Sequence, residues 1–323
     1  MREALPADQE LRSFTVADGA VVEYIFDAAV EADRPLLVYH HGTPAAGPIS
    51  VDLLRPARAR GFRTVELVRP GYGGTRLPGR TVADNAALTA ELVSHLGAER
   101  FASCGWSGGG PHTLADVQLL PNCVAAVSIA GVAPYDEPDI DFLAGMGQDN
   151  LDEFAAALEP EALEGYLAAV AAELAHVTNE SMREAMGSLL PPADLEHINT
   201  SSDDLAASLR WSVAQGIWGW FDDDIAFTRP WGFDVRAISK PIVVLQGSED
   251  LMVPFAHGKC SHSCANSSPA ARDCAISFSW CGNCRSSPPP WISKAGRQAL
   301  SRRALLPSRR CSRRMWSLDD RVT

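Results

Sequence analysis

The chain has 323 residues, 46% of them apolar, and a net charge of −12, which suits one large core or a core with an inserted domain and excludes a disordered polar chain. No charged-then-apolar leader opens it at Met1 to Ser13, and no stretch reaches the roughly 18 uncharged apolar residues of a membrane span. A soluble, cytoplasmic protein without a membrane partner is expected.

In chain order, Arg12 to Val16 and Val21 to Phe26 alternate around Ala17-Asp18-Gly19, a hairpin signal, so antiparallel strands should open the fold. Pro35 to His40 is a continuous apolar run that suits a strand buried on both faces, and it ends in His41-Gly42-Thr43-Pro44. A helix fits Ile49 to Arg60. A strand fits Thr64 to Val68, running into the turn Arg69-Pro70-Gly71-Tyr72-Gly73-Gly74, and a helix fits Val82 to Leu96. Phe101 to Cys104 reads as a strand, Thr113 to Asp116 as part of a helix, and Val124 to Ile129 as another buried strand. The alternation then breaks into helical runs at Leu151 to Leu158, Glu161 to Leu174, Ser181 to Leu189 and Asp203 to Gln215, before Lys240 to Gly247 resumes the sheet. Alternating strands and helices predict an α/β fold, a mostly parallel sheet with helices on both faces and ligands at the carboxyl ends of its strands. The organisation expected is a core over 1–132, an inserted helical cap over 133–236, a return to the core over 237–259 and a tail over 260–323. No internal repeat is visible.

Gly105-Trp106-Ser107-Gly108-Gly109 matches G-x-S-x-G between a strand and a helix, the context in which a tight turn holds a serine out of the sheet edge. Ser107 is therefore the candidate nucleophile. A serine hydroxyl needs a base to take its proton and donors for the oxyanion. The Gly108 N–H is one donor, and the His41-Gly42-Thr43-Pro44 loop offers a second, assigned to Thr43. Asp250 closes Gly247-Ser248-Glu249-Asp250 after a buried strand, where a carboxylate can orient an imidazole, whereas Glu249 is expected to face solvent.

These residues resemble the α/β-hydrolase superfamily. The His41-Gly42 loop, Arg69-Pro70-Gly71-Tyr72-Gly73, the Ser107 elbow and the Gly247-x-x-Asp250 turn follow that family's order over residues 12 to 259. Within it the chain is similar to capped serine hydrolases of the proline-iminopeptidase type, with Gly219 to Asp224 and Pro230 to Asp234 resembling a return from cap to core. Its oxyanion loop reads His-Gly-Thr-Pro where proline iminopeptidases have His-Gly-Gly-Pro. The resemblance implies a cofactor-independent and metal-independent reaction.

The family order also requires a histidine beyond one further strand after the acid, and the sequence has none past His262. His257, expected to be a surface or capping residue, and His262 are the remaining candidates for the base. His112 is expected to pack, and His40 and His41 to shape the oxyanion loop. Residues 260–323 differ in kind from what precedes: 11 Lys+Arg against 3 Asp+Glu, six of the eight cysteines, and nine Val, Ile, Leu, Phe and Met against 13 Ser. So little apolar surface argues for an irregular tail, without a strand and a packed helix of the usual kind. Three readings compete: a basic arm for nucleic acid through Arg302-Arg303, Arg309-Arg310 and Arg313-Arg314; a metal knuckle from Cys260-x3-Cys264 and Cys281-x2-Cys284 with His257 or His262; and an out-of-frame translation that replaces the natural C-terminus. The abrupt change favours the third, which would also account for the absent histidine, and disfavours nucleic acid as a partner.

Two functions follow. One is a serine hydrolase acting on a small-molecule ester, amide or peptide through an acyl-enzyme at Ser107, impaired by loss of its histidine. The other is a catalytically inactive remnant or binding protein. Trp106, Trp211, Trp218, Trp220 and Trp231 are expected to pack the core more than line a pocket. Glu137, Asp139, Asp141 and Asp222 to Asp224 could recognise an amine but are expected to form a solvated acidic face.

Overall fold

A computed structural model of the chain describes residues 2–186, 204–266 and 277–281. Strands β1 (Gln9–Thr15) and β2 (Val21–Asp27) form the antiparallel hairpin, with Thr15 opposite Val21. Gly19 turns it at φ +90°, a conformation that favours a residue without a Cβ. Strand β2 also runs antiparallel to β4 (Arg63–Leu67). Strands β3 (Leu36–His40), β5 (Phe101–Trp106), β6 (Cys123–Ile129), β7 (Ile242–Gly247) and β8 (Ser277–Cys281) continue in parallel, in the order β1-β2-β4-β3-β5-β6-β7-β8.

Successive side chains of a strand point to opposite faces, and β3 shows it: Leu36 and Val38 enter one apolar cluster, Leu37 and Tyr39 the other. The first cluster is closed by helices α2 (Val82–His95) and α3 (Gly109–Leu119) through Val82, Ala86, Leu92, Leu114 and Val117. The second is closed by Leu54 of helix α1 (Val51–Ala59). Helix α2 begins where the sequence expects it because Thr81 and Asp84 form a capping box, each side chain accepting from the other's backbone N–H.

Among the described residues, five α-helices lie between β6 and β7: α4 (Gln148–Ala157), α5 (Pro160–Leu174), α6 (Asn179–Met186), α7 (Asp204–Val213) and α8 (Trp218–Phe227). The end of the expected helix Ser181 to Leu189 falls outside the described residues. Leu163, Leu167, Trp211 and Trp220 bury themselves in the second cluster, so these tryptophans pack the core as anticipated. Helix α8 was not foreseen as a helix. Among the described residues, no helix is long and apolar enough to cross a membrane.

Beyond residue 259, the described residues 260–266 and 277–281 form a helix end and a strand that the composition did not suggest. Helix α9 (Phe255–Asn266) continues through the seam and buries Cys260, Cys264 and Ala265. Strand β8 then pairs in parallel along β7, with Val243 opposite Ser277. Two physical reasons account for the difference. Cysteine and alanine serve as small apolar core residues that the tally of large side chains omits. An open strand edge offers backbone donors and acceptors that any sequence can pair. The paired arginines at 302–314 lie outside the described residues.

Candidate active site at Ser107

Ser107 sits between the end of β5 and the start of α3 with φ +52°, a left-handed conformation that costs a non-glycine residue about 1 kcal/mol. Its N–H donates to Ile129 O at 2.8 Å and its carbonyl accepts from Gly110 N at 2.9 Å, so both flanks of the bend are tied down. The flanking glycines are required by contact. A Cβ on Gly105 would strike the Gly109 carbonyl, one on Gly109 the His40 carbonyl, and one on Gly110 would come within 2.6 Å of Gly131 Cα. No described residue hydrogen-bonds the Ser107 side chain.

Across from the elbow, the His41-Gly42-Thr43 loop is held by Arg69, which is fully buried. Its Nη1 donates to His41 O at 2.7 Å, and its Nη2 donates to Gly42 O at 2.8 Å and to Thr43 Oγ1 at 3.0 Å. The charge is balanced by Asp223, also fully buried, which accepts from Arg69 Nη2 at 2.7 Å, Arg80 Nη2 at 2.6 Å, Tyr72 Oη at 2.9 Å and Thr43 Oγ1 at 2.8 Å. Burial alone would raise the Asp223 pKa, yet Arg69 and Arg80 outweigh it and hold the carboxyl well below the usual range. Asp222 pairs with Arg76 at 2.8 Å and Arg80 at 3.5 Å. The expected solvated face is therefore corrected for these aspartates. They are buried counter-ions, because the arginines of the Arg69–Arg80 turns meet them from the core side. Asp139 and Asp141 are exposed as anticipated.

Gly108 and Thr43 face each other closely enough that a Cβ on Gly108 would lie 2.8 Å from Thr43 Cβ. Among the described residues, neither of their N–H groups donates to a protein acceptor, so both are free to serve an oxyanion at the N-terminus of α3. Ser107, Gly108, Thr43 and Pro44 line a cavity of about 120 Å³, closed on other sides by Phe154, Phe227, Val132, Met252 and Val253.

Two carboxyl groups reach the same cavity, Glu153 from α4 and Asp224 from α8. Trp220 Nε1 donates to Glu153 Oε1 at 2.7 Å, while Asp224 Oδ2 is buried without a donor. Burial lifts Glu153 to about 7, and burial together with the Glu153 charge lifts Asp224 well above its usual value. Among the described residues, no basic side chain lines the cavity. Sequence reading passed over Glu153. Its one legible signal is position, on a helix face beside the apolar Phe154.

Asp250 caps the turn after β7, accepting from Met252 N and Val253 N at 2.9 Å each, while Gln246 Nε2 donates to its other oxygen at 3.2 Å. Glu249 is exposed, as expected. His257 is fully buried, not a surface residue. Its Nδ1 accepts from Ala133 N at 3.1 Å and its Nε2 donates to Phe142 O at 2.9 Å. Burial lowers its pKa to about 4, and both ring nitrogens are spent, so it is a neutral structural residue and not a base for Ser107. His262 is half-buried on α9 and makes no hydrogen bond to Ser107. His40 donates to buried Asp116 at 2.7 Å, and His41 donates to Gly42 O at 2.7 Å, so both shape the loop. His112 is buried between His40 and Phe227 as a packing residue.

Residues 37–272 match the model of the alpha/beta hydrolase family. Similar solved structures include an alpha/beta hydrolase fold protein from Nakamurella multipartita, at 23% identity with a TM-score of 0.52, covering 85% of this chain and 91% of that one. An esterase, RhEst1 from Rhodococcus sp., aligns at 18% identity and a TM-score of 0.57, covering 90% and 98%. Epoxide Hydrolase A from Mycobacterium thermoresistibile aligns at 19% and 0.57, covering 90% and 97%. No curated protein sequence matches the chain. With the family model spanning well over half its length, this chain belongs to the alpha/beta hydrolase family.

Proposed function

We propose that the chain is a serine hydrolase that cleaves a small ester or amide through an acyl-enzyme at Ser107, in a soluble cytoplasmic setting, with α4 to α8 as a cap over the pocket. The observation that carries this reading is the strained Ser107 facing a cavity beside the unspent N–H groups of Gly108 and Thr43. In the reaction, Ser107 Oγ attacks the carbonyl carbon, the two amides hold the oxyanion, and collapse expels the alcohol or amine. Water then releases the acid. Asp250 would be the carboxylate that orients an imidazole in such a reaction, and no described imidazole engages Ser107, so the serine proton passes to water and turnover falls by several orders of magnitude. Glu153 and Asp224, facing the cavity with no basic partner in its lining among the described residues, favour a substrate that carries an amine.

The test is labelling of the full chain with a fluorophosphonate probe. Slow labelling at Ser107, abolished in Ser107→Ala, is expected, together with faster acylation by amine-bearing than by neutral activated esters. Absence of labelling after prolonged exposure would favour the second reading, a ligand-binding protein on a hydrolase fold, for which the lack of an imidazole at Ser107 among the described residues is the supporting observation.

A further inference from the structure

Away from Ser107, helix α9 brings Cys260 and Cys264 onto one face a turn apart, with their sulfurs 3.8 Å from each other. Glu137, from the segment between β6 and α4, places Oε2 3.6 Å from Cys264 Sγ. All three side chains are buried, and their ligand atoms lie within 4.8 Å of one another. The other Glu137 oxygen accepts from Arg236 Nη2 at 2.6 Å, which fixes the carboxylate with Oε2 turned toward the sulfurs.

These separations have the size of coordination-polyhedron edges. A tetrahedral zinc centre with bonds of about 2.3 Å to sulfur and about 2.0 Å to oxygen sets sulfur–sulfur edges of about 3.8 Å and sulfur–oxygen edges of about 3.5 Å. The charges also balance. Two thiolates and a carboxylate sum to −3, Arg236 returns +1, and a divalent cation neutralises the remainder. Arg236 takes the outer position that holds a ligating carboxylate in orientation, and its partly exposed side chain marks where the site approaches solvent.

We propose that Glu137, Cys260 and Cys264 bind a thiophilic divalent cation of the zinc class, with water as the fourth ligand. The pairing differs from the four-cysteine knuckle considered from sequence: its partner to Cys260 and Cys264 is a glutamate from the core, while Cys284 lies outside the described residues. The site pins the helix that follows the Asp250 turn to the segment that follows β6. Its role is structural and independent of chemistry at Ser107. Binding releases the thiol protons to solvent, with no change in oxidation state.

The test uses the reduced full chain and Co²⁺ as the probe. One equivalent is expected to bind with the intense visible bands of a tetrahedral centre and thiolate charge transfer in the near ultraviolet, and Zn²⁺ should displace it. Cys264→Ser should weaken binding at least about 100-fold and Glu137→Gln at least about 10-fold, as ligand and carboxylate losses do. Mass-spectrometric mapping of alkylated thiols on the wild-type chain, with and without Zn²⁺, serves if a variant fails to fold. Protection confined to Cys260 and Cys264 supports the site. Absence of stoichiometric Co²⁺ binding, unchanged affinity in both variants, or protection of other cysteines instead would overturn it.

Discussion

Replacing Asp223 with Asn tests whether the His41-Gly42-Thr43 loop is built on a buried charge. The carboxylate accepts from Arg69, Arg80, Tyr72 and Thr43, and Asp223 and Arg69 are both fully buried. The amide keeps the shape and removes one negative charge, leaving two guanidinium groups over a neutral acceptor. Arg69 retains the His41 and Gly42 carbonyls, and Arg80 retains Asp222 at 3.5 Å. Breaking one partner of a buried pair costs roughly 3–5 kcal/mol, and these remaining contacts put the expected loss near about 3 kcal/mol. The sign with pH follows from the carboxyl's depressed pKa. Its stabilisation is complete above the ordinary aspartate value of 3.8 and is lost as pH falls through the lower folded value. Urea melts of wild type and Asp223→Asn should therefore differ by a constant amount at neutral to mildly acidic pH and converge in stronger acid. Fluorophosphonate labelling should also slow in the variant, because Thr43 loses its acceptor. A difference below about 1 kcal/mol, or one that widens toward acid, would refute the argument.

Three further outcomes are expected. Glu153, raised by burial to about 7 from an ordinary 4.5, contributes fully below the ordinary value and loses that contribution as pH rises through about 7. Glu153→Gln should thus gain up to about 3 kcal/mol over wild type in mildly alkaline buffer and nothing in acid, measured by denaturant titration at several pH values. Ser107→Gly relieves the left-handed strain, so its melting should report about 1 kcal/mol of added stability while labelling disappears. A methyl on Gly108 would lie 3.0 Å from Phe227 Cζ and closer still to Thr43, so Gly108→Ala should lose about 1–3 kcal/mol in the same melts and label more slowly.

Period and punctuation made much of the fold legible. The Asp18-Gly19 hairpin, the continuous apolar run at Pro35 to His40 and the glycine-framed Ser107 each declare a local geometry that few other residues allow, and the structure follows them within three residues. Helix α8 was hidden because three consecutive aspartates at 222–224 disguise a buried face as a solvated one. The arginines at 69, 76 and 80, about 150 residues earlier in the chain, neutralise Asp222 and Asp223 on that face. In residues 260–266 and 277–281, small cysteines and a shared strand edge supply a helix end and a strand that large apolar side chains did not announce.

By itself the sequence determined the parallel α/β plan and the bend at Ser107, because hydrophobic period and left-handed turns are properties of near neighbours. Tertiary structure alone decided that Asp223 balances Arg69 and Arg80, that His257 is locked between Ala133 and Phe142, and that Glu153 and Asp224 share a cavity. Each of these depends on the distance and burial of groups remote in the chain, and Coulomb energy and desolvation are set by those distances, not by sequence spacing.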